Sequence, residues 1–188
     1  MITLEDHHED IIGKAMRGLG IGKNEMAIAM NIEKSAIDSI LNGSVDEDII
    51  RSMASFLKLD GEKLVKSARK DWFPNPVLLE GFQQLSSSYG EMIVNAYVFW
   101  DKTTQKAWIF DTGTNPYLFT KFVDKKSLEI DAIFLTHTHN DHIACLDDLK
   151  QKTNHPPIFV HKSETFDEFE SIEEGFCRTL GDLSLKAL

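Results

Sequence analysis

The chain has 188 residues and a formal net charge of −10, with 20 basic against 30 acidic side chains. This length suits one large domain or two small ones, and a hydrophobic content of 42% is enough for a packed core. No apolar run approaches the roughly 20 residues that cross a bilayer, so no membrane partner is expected. The two cysteines, Cys145 and Cys177, lie in unrelated contexts. They argue against a disulfide framework and predict a cytoplasmic location.

Residues 9–70 carry apolar side chains at helical spacings of three and four. The breaks that divide this stretch into about five short helices fall at 18–22, 30–32, 42–44 and 59–61. Asp46 is predicted to cap the fourth helix. His7 and His8 lie in an acidic stretch and are expected to face solvent. These patterns predict a helical domain over residues 1–72.

Pro74 and Pro76 end the helical region, because proline lacks a backbone donor and favours an extended residue before it. We place a linker at residues 73–81 and a second domain at 82–188. In the second domain the hydrophobic period shifts towards two. The predicted strands are 91–101, 106–113, 130–137, 156–164 and 181–188, and the predicted helices are 115–129 and 143–153. Alternating strands and helices indicate a layered domain, so the whole chain is predicted to be α+β.

The segment "THTHNDHIACL" places His137, His139, Asp141 and His142 directly after a short apolar stretch. Residues two apart in an extended segment share a face, so His137 and His139 are able to bind one ion. Asp141 and His142, at a turn into the next helix, are able to bind a second. Imidazole and carboxylate groups suit zinc, iron or manganese, and two such ions would make a bridging hydroxide nucleophilic. A loop of solvated histidines is the alternative, which the specific spacing disfavours.

This segment resembles the HxHxDH signature of metallo-β-lactamase-fold hydrolases, and "WIFDTG" at 108–113 resembles the strand and turn that precede it in that family. The resemblance covers roughly residues 82–188. Within the family, this region is most similar to the hydroxyacylglutathione hydrolase (glyoxalase II) branch. It implies the N-terminal part of an αββα sandwich with metal at the edge of its sheets. It also implies hydrolysis of a thioester, ester, lactam or phosphoester bond in a small-molecule substrate.

The resemblance also implies a role for each residue of the motif. His137 and His139 would hold the first metal, and Asp141 and His142 would hold the second. Two zinc ions are expected in a complete site, with iron and manganese as alternatives. Asp141 would also act in catalysis, by orienting the metal-bound hydroxide and receiving a proton. Asp111 would hydrogen-bond within the metal loop and fix the orientation of the ligands, which is compatible with a turn-forming role.

The family pattern requires three further ligands downstream, and the sequence up to Leu188 does not supply them. His155 and His161 are expected to be surface or strand-end residues and not substitutes. We therefore expect a fragment, or the product of an interrupted gene, that is inactive although the full-length protein is a metallohydrolase. Its exposed sandwich core would favour homodimers. Cys145 is expected to be a small buried residue and not a nucleophile.

The N-terminal pattern resembles a Cro/C1-type (XRE) helix-turn-helix domain over about residues 9–70. One helix at Lys23–Met30 and a second at Glu33–Leu41 flank a tight turn at Asn31–Ile32. The resemblance implies a five-helix bundle that binds DNA. A second function is therefore open, in which the chain is a DNA-binding transcriptional regulator and its hydrolase-like domain only senses a ligand or a metal.

The charge of this domain opposes DNA binding. The candidate DNA contacts are Lys34 and Ser35, at the start of the second helix, where Glu33 and Asp38 are also present. Residues 1–72 hold thirteen acidic and ten basic side chains, a net charge of −3, whereas DNA-binding domains are usually basic. A docking or oligomerisation module remains the alternative.

A mobility-shift titration decides between these two interpretations of the helical domain. If it binds DNA, genomic fragments will be retarded at low salt, and the retardation will weaken as salt rises because phosphate contacts release counterions. No retardation at low salt would exclude DNA binding.

Overall fold

A computed structural model describes residues 4–90, 92–164 and 168–188. The chain divides into two compact units, Met1–Pro76 and Val77–Leu188. The first is helical and the second combines helices with a mixed sheet, which confirms the predicted α+β class. Within the described ranges, no helix is both long enough and apolar enough to span a bilayer.

The N-terminal unit consists of short helices packed around one apolar core. They are α1 (His8–Leu19), α2 (Lys23–Met30), α3 (Lys34–Leu41), α4 (Glu47–Phe56) and α5 (Gly61–Ala68). The core includes the fully buried Ile12, Met26 and Ile37. Asp46 caps α4 as predicted, because its carboxylate accepts the Ile49 N–H at 3.1 Å. The helix-turn-helix character of α2 and α3 stays an interpretation.

The prediction that His8 faces solvent is wrong. His8 is buried, its Nε2 lies 3.1 Å from the Ser44 carbonyl oxygen, and its Nδ1 lies 2.7 Å from the Glu9 carboxylate. Position 8 precedes the core residue Ile12 by one helical turn, so both lie on the inner face of α1. The prediction relied on the acidic residues around His8, and these gave no sign that His8 lies on the inner face of the helix.

The C-terminal unit contains a six-stranded sheet in the order β1-β2-β3-β4-β5-β6. The strands are β1 (Phe82–Tyr89), β2 (Met92–Trp100), β3 (Lys106–Phe110), β4 (Glu129–Phe134), β5 (Ile158–His161) and β6 (Glu170–Ile172). Strands β1 to β3 pair antiparallel, whereas β3 to β6 pair parallel. A separate antiparallel hairpin follows, formed by β7 (Cys177–Leu180) and β8 (Leu183–Lys186).

The five predicted strands correspond to β2, β3, β4, β5 and β8, whereas β1, β6 and β7 were not predicted. The sequence of β1, "FQQLSSSY", is rich in Gln and Ser and lacks the β-branched residues that mark strands. Pairing with β2, from Phe82 opposite Phe99 to Tyr89 opposite Met92, makes it a strand. Tertiary pairing therefore overrides local propensity in β1.

The two faces of the sheet are covered differently. Helices α6 (Pro116–Lys126) and α8 (Leu146–Lys152) cover one face, and Phe119 and Leu149 are buried there. The other face carries an aromatic row across the strands, and the β7–β8 hairpin packs against it. The row consists of Phe99, Phe110, Phe134 and Phe159, and Phe176, which directly precedes β7, packs on Phe159. Successive ring centroids lie 5.0 to 5.5 Å apart.

An open apolar groove of about 290 Å³ lies between this face and the hairpin. Its lining includes Phe99, Trp108 and Phe110 from the sheet, and Leu183 and Leu185 from β8. Exposed apolar surface of this kind commonly marks a contact site. The homodimer expected from the sequence stays a prediction.

Two buried or half-buried carboxylates tie the hairpin to the sheet. Asp101 accepts the Asp182 N–H at 3.1 Å, from the turn between β7 and β8. Asp131 accepts bonds from Arg178 Nη2 at 2.9 Å and from Trp108 Nε1 at 3.0 Å. Burial alone would raise the pKa of Asp131, but these two bonds hold it below its ordinary value.

The contact between the hairpin turn and Asp101 predicts that Gly181→Ala is destabilising. Gly181 has a φ of +56°, and a Cβ there would overlap the Asp101 carboxyl group. Gly175 has a φ of +87° with open space around it, so Gly175→Ala carries only the backbone strain. We expect Gly181→Ala to lower the free energy of unfolding by about 1–3 kcal/mol more than Gly175→Ala does. Urea denaturation followed by tryptophan fluorescence measures the difference, and equal losses would contradict the close approach.

Candidate metal centre

The candidate site lies at one edge of the six-stranded sheet. Strands β3, β4 and β5 run parallel, so the residues that follow their carboxyl ends meet at the same edge. Asp111 follows β3, the loop 136–139 follows β4, and Glu164 ends a 3₁₀ helix directly after β5. A short helix, α7 (Asn140–Ile143), continues from the loop and carries Asp141 and His142. Segments far apart in sequence therefore build one site.

Asp111 holds this site together. Its carboxylate is buried and accepts three hydrogen bonds. The Thr136 N–H donates to Oδ1 at 2.8 Å, the Thr136 hydroxyl donates to Oδ2 at 2.8 Å, and His142 Nδ1 lies 3.0 Å from Oδ2. The backbone of Asp111 has a φ of +57° and its N–H donates to the Phe134 carbonyl oxygen at 2.8 Å. One side chain thus fixes both the loop after β4 and the helix α7.

This hydrogen-bond network assigns the protons of two imidazoles. The single hydroxyl proton of Thr136 goes to Asp111, so Thr136 Oγ1 accepts from His137 Nδ1, 2.9 Å away. His142 Nδ1 donates to Asp111, because a carboxylate only accepts. In both rings Nδ1 therefore carries the proton and Nε2 carries a lone pair. Asp111 sets these tautomers directly for His142 and through Thr136 for His137.

The four residues predicted as metal ligands lie together as two pairs. His137 Nε2 is 3.1 Å from His139 Nδ1, and His142 Nε2 is 3.5 Å from Asp141 Oδ2. Two ligand atoms on one tetrahedral zinc ion lie roughly 3.3 Å apart. The rings of His137 and His142 have centroids 4.1 Å apart, so the two pairs adjoin. The spacing and the donor chemistry both fit two neighbouring divalent cations.

The environment of His137 favours the neutral imidazole that binds metal. Burial, followed by the neighbouring His142 and His139 rings, lowers the pKa of His137 below its ordinary value. The ring is therefore largely uncharged at neutral pH, and no proton has to be displaced before a cation binds.

The described residues supply only part of a metal site. Across residues 4–90, 92–164 and 168–188, no group of three or more His, Cys, Asp or Glu side chains is arranged to hold one ion. His155 and His161 are exposed, and His161 Nδ1 instead lies 2.8 Å from the Ser163 hydroxyl. Zinc sites usually have three or four protein ligands, so two per ion predict weak binding.

Sequence reasoning missed Thr112 as a structural support of the site. Thr112 is fully buried, and its N–H and hydroxyl both donate to the His142 carbonyl oxygen at 2.8 Å. Its hydroxyl oxygen also accepts the Cys145 N–H at 3.3 Å. These bonds fix the end of α7 against the loop after β3. The only signal in the sequence was its position beside Asp111 in the DTG turn.

Glu164 was also missed, because nothing in the sequence links it to the histidine motif. Its Oε2 accepts both the Thr138 N–H at 3.0 Å and the Thr138 hydroxyl at 2.6 Å. These bonds from Thr138 hold the pKa of Glu164 below its ordinary value. Glu164 lies 26 residues after Thr138, and only the parallel pairing of β4 with β5 brings them together.

The candidate DNA contacts lie in the other unit. Lys34 and Ser35 are both exposed at the start of α3. Nearby, Lys23 Nζ lies 2.6 Å from the Asp38 carboxylate, and this bond lowers the pKa of Asp38. The ion pair neutralises a cation that would otherwise attract phosphate. DNA binding through Lys34 and Ser35 stays a prediction.

The two thiols are predicted to react very differently. Burial raises the pKa of the Cys145 thiol to about 11, so roughly 0.1% is thiolate at pH 8, whereas Cys177 is exposed. A thiol reagent at pH 8 should therefore label Cys177 rapidly and Cys145 only after unfolding. Cys177→Ser is the control and should abolish native labelling, as measured by mass spectrometry. Labelling of both thiols at equal rates would contradict the burial of Cys145.

Part of the second unit, Val77–Leu188, is similar to known proteins. Residues 89–171 match the family model described as the metallo-beta-lactamase superfamily. Over 75 residues the chain is 33% identical to Probable metallo-hydrolase YqgX of Bacillus subtilis (strain 168), covering 40% of this chain and 34% of that protein. Over 56 residues it is 36% identical to a probable metallo-hydrolase of Streptococcus pyogenes serotype M6, covering 30% of this chain and 24% of that protein.

The chain is also similar to solved structures. The crystal structure of ETHE1 from Myxococcus xanthus aligns over 56% of this chain and 46% of that chain, with 21% identity and a TM-score of 0.48. The chain spans about a third or less of the length of the two curated relatives it matches. Residues 89–171, within the second unit, are therefore similar to the metallo-beta-lactamase superfamily.

Proposed function

We propose that residues 77–188 form part of a metal-dependent hydrolase, in which His137 and His139 bind one divalent ion and Asp141 and His142 bind a second. The observation that carries this proposal is the separation of 3.1 Å between His137 Nε2 and His139 Nδ1. The network of Asp111 leaves a lone pair on His137 Nε2, directed at this gap. Similarity to two proteins named as probable metallo-hydrolases adds support.

When bound, divalent ions at these two pairs supply Lewis acidity and make water nucleophilic at neutral pH. The residues of the chain position the ligands and handle protons. Asp111 orients His142 directly and His137 through the Thr136 hydroxyl. Asp141, which is half-buried with Oδ2 near His142, is placed to accept a proton from the attacking water. Thr112 donates two hydrogen bonds to the His142 carbonyl oxygen and so anchors α7, which carries Asp141 and His142.

The finer assignments extend this proposal. Imidazole and carboxylate donors suit zinc, iron and manganese alike, and we take zinc as the first candidate. A thioester or ester of a small molecule is the proposed substrate class, on the resemblance of the motif to glyoxalase II. The alternative of a DNA-binding regulator with a degenerate sensing domain is not favoured.

Paired histidine substitutions test the proposed metal site. We expect the His137→Ala/His139→Ala variant to lose at least tenfold in affinity for zinc, because the first ion loses both ligands. The matched control is His155→Ala/His161→Ala, which removes two exposed imidazoles and should leave affinity unchanged. Titration calorimetry of the full chain with zinc, checked by metal analysis, measures the effect. Equal affinity in both double variants would exclude the site.

Hydrolysis is tested separately with the metal-loaded chain on a panel of thioesters, esters, lactams and phosphoesters. Turnover that requires metal and is lost in His137→Ala/His139→Ala would support a hydrolase. Such turnover would also overturn the expectation that this chain is inactive. Metal bound at this site without turnover of any substrate would match that expectation and leave only metal binding assigned to this chain.

A further inference from the structure

We propose that Glu164 is a positioning residue that sets the spacing of the His137 and His139 imidazoles. The proposal rests on the metal site described under the proposed function. It adds a residue from a third strand end, outside the histidine motif, and it concerns the shape of the loop and not the ligands themselves. Glu164 acts through Thr138, the single residue between the two histidines.

The contact between Glu164 and Thr138 is a two-point clamp. Oε2 of Glu164 accepts the Thr138 N–H at 3.0 Å and the Thr138 hydroxyl at 2.6 Å. A backbone and a side-chain donor on one residue, both directed at one oxygen, restrict the backbone and the χ1 angle of that residue together. Both are hydrogen bonds to a charged group, which are stronger than neutral ones.

The position of the clamp explains why it matters for the histidines. The loop leaves β4 after Phe134 and belongs to no helix or strand until α7 begins at Asn140. Within this segment Asp111 holds Thr136 by two hydrogen bonds, and Glu164 holds Thr138 by two. The residues that alternate with these anchors are His137 and His139. The backbone angles at Thr138 determine how the two imidazoles face one another across 3.1 Å.

The two anchors have different roles. Asp111 acts through Thr136 to fix the start of the loop and the position of the proton on His137. The two hydrogen bonds of the clamp join Glu164 to Thr138 and not to either imidazole. Without Glu164 the Thr138 amide and hydroxyl would bond to water, which imposes no fixed direction. The loop would then sample conformations in which the two ring nitrogens are too far apart to share one ion.

The clamp is first tested in the metal-free chain by hydrogen exchange at the Thr138 amide. Glu164→Ala should accelerate its exchange about tenfold or more, because the amide loses a bond to a charged acceptor. Glu164→Gln keeps an oxygen acceptor on a side chain of the same length and should exchange at an intermediate rate. Glu173→Ala is the matched control, because Glu173 is an exposed carboxylate paired with Lys162 of the same 3₁₀ helix. It should leave the Thr138 amide unchanged.

The effect on the metal site is measured with Co²⁺, whose visible absorption reports ligand geometry. Glu164→Ala should bind Co²⁺ about tenfold more weakly and with an altered spectrum, as expected when a support of a metal ligand is lost. Glu164→Gln and Thr138→Ser should largely retain the wild-type Co²⁺ affinity and spectrum, since each variant keeps the hydrogen-bonding oxygen of the substituted side chain. Thr138→Val, which keeps the N–H and removes the hydroxyl, should fall between the wild type and Glu164→Ala. Glu173→Ala should match the wild type.

The outcomes separate this inference from the proposed function. If the wild-type chain takes up no Co²⁺, the metal site is wrong and the positioning role falls with it, whatever the exchange data show. If the wild type binds Co²⁺ and Glu164→Ala binds it with the same affinity and spectrum, the metal site stands and the positioning role is overturned. Faster exchange in Glu164→Ala without a change in Co²⁺ binding also overturns it.

Discussion

The buried carboxylate of Asp111 is the group around which the candidate site is arranged. A carboxylate removed from water is costly unless its oxygens accept hydrogen bonds, and here three donors satisfy it. Those donors belong to Thr136 and His142, so satisfying Asp111 also fixes the loop after β4 and the helix α7. The hydrogen bonds that compensate the buried charge of Asp111 therefore also determine the tautomers and positions of His137 and His142.

The parallel part of the sheet explains why these groups meet at all. Asp111, Thr138 and Glu164 follow β3, β4 and β5, and the pairing of these strands brings the three chain segments to one edge. Helices α6 and α8 on one face, and the β7–β8 hairpin on the other, bury the strands that set this register. Bonds to Asp101 and Asp131 keep the hairpin in place. The packing of the whole unit thus determines the geometry of the candidate site.

The donor set limits the chemistry that the described residues support. Two imidazole nitrogens face each other, and a third imidazole adjoins a carboxylate, which suits divalent cations but gives each only two ligands. Catalytic zinc sites usually have three protein ligands and an open position, which is one ligand more than either pair supplies. The chain spans only about a third or less of the length of the two curated relatives it matches.

Hydrophobic periodicity in the sequence was enough to predict the five helices of the first unit, the strands β2 to β5 and the α+β class, because each element buries a continuous apolar face. The spacing of His137, His139, Asp141 and His142 likewise predicted that these side chains lie together as two pairs, since local geometry governs residues so close together. Their role as metal ligands stays a prediction. Strand β1 has no such pattern and exists through its pairing with β2. The burial of His8 and the contact of Glu164 with Thr138 depend on residues 36 and 26 positions away. Only the folded chain decides such contacts, because they arise from packing between elements and leave no local pattern in the sequence.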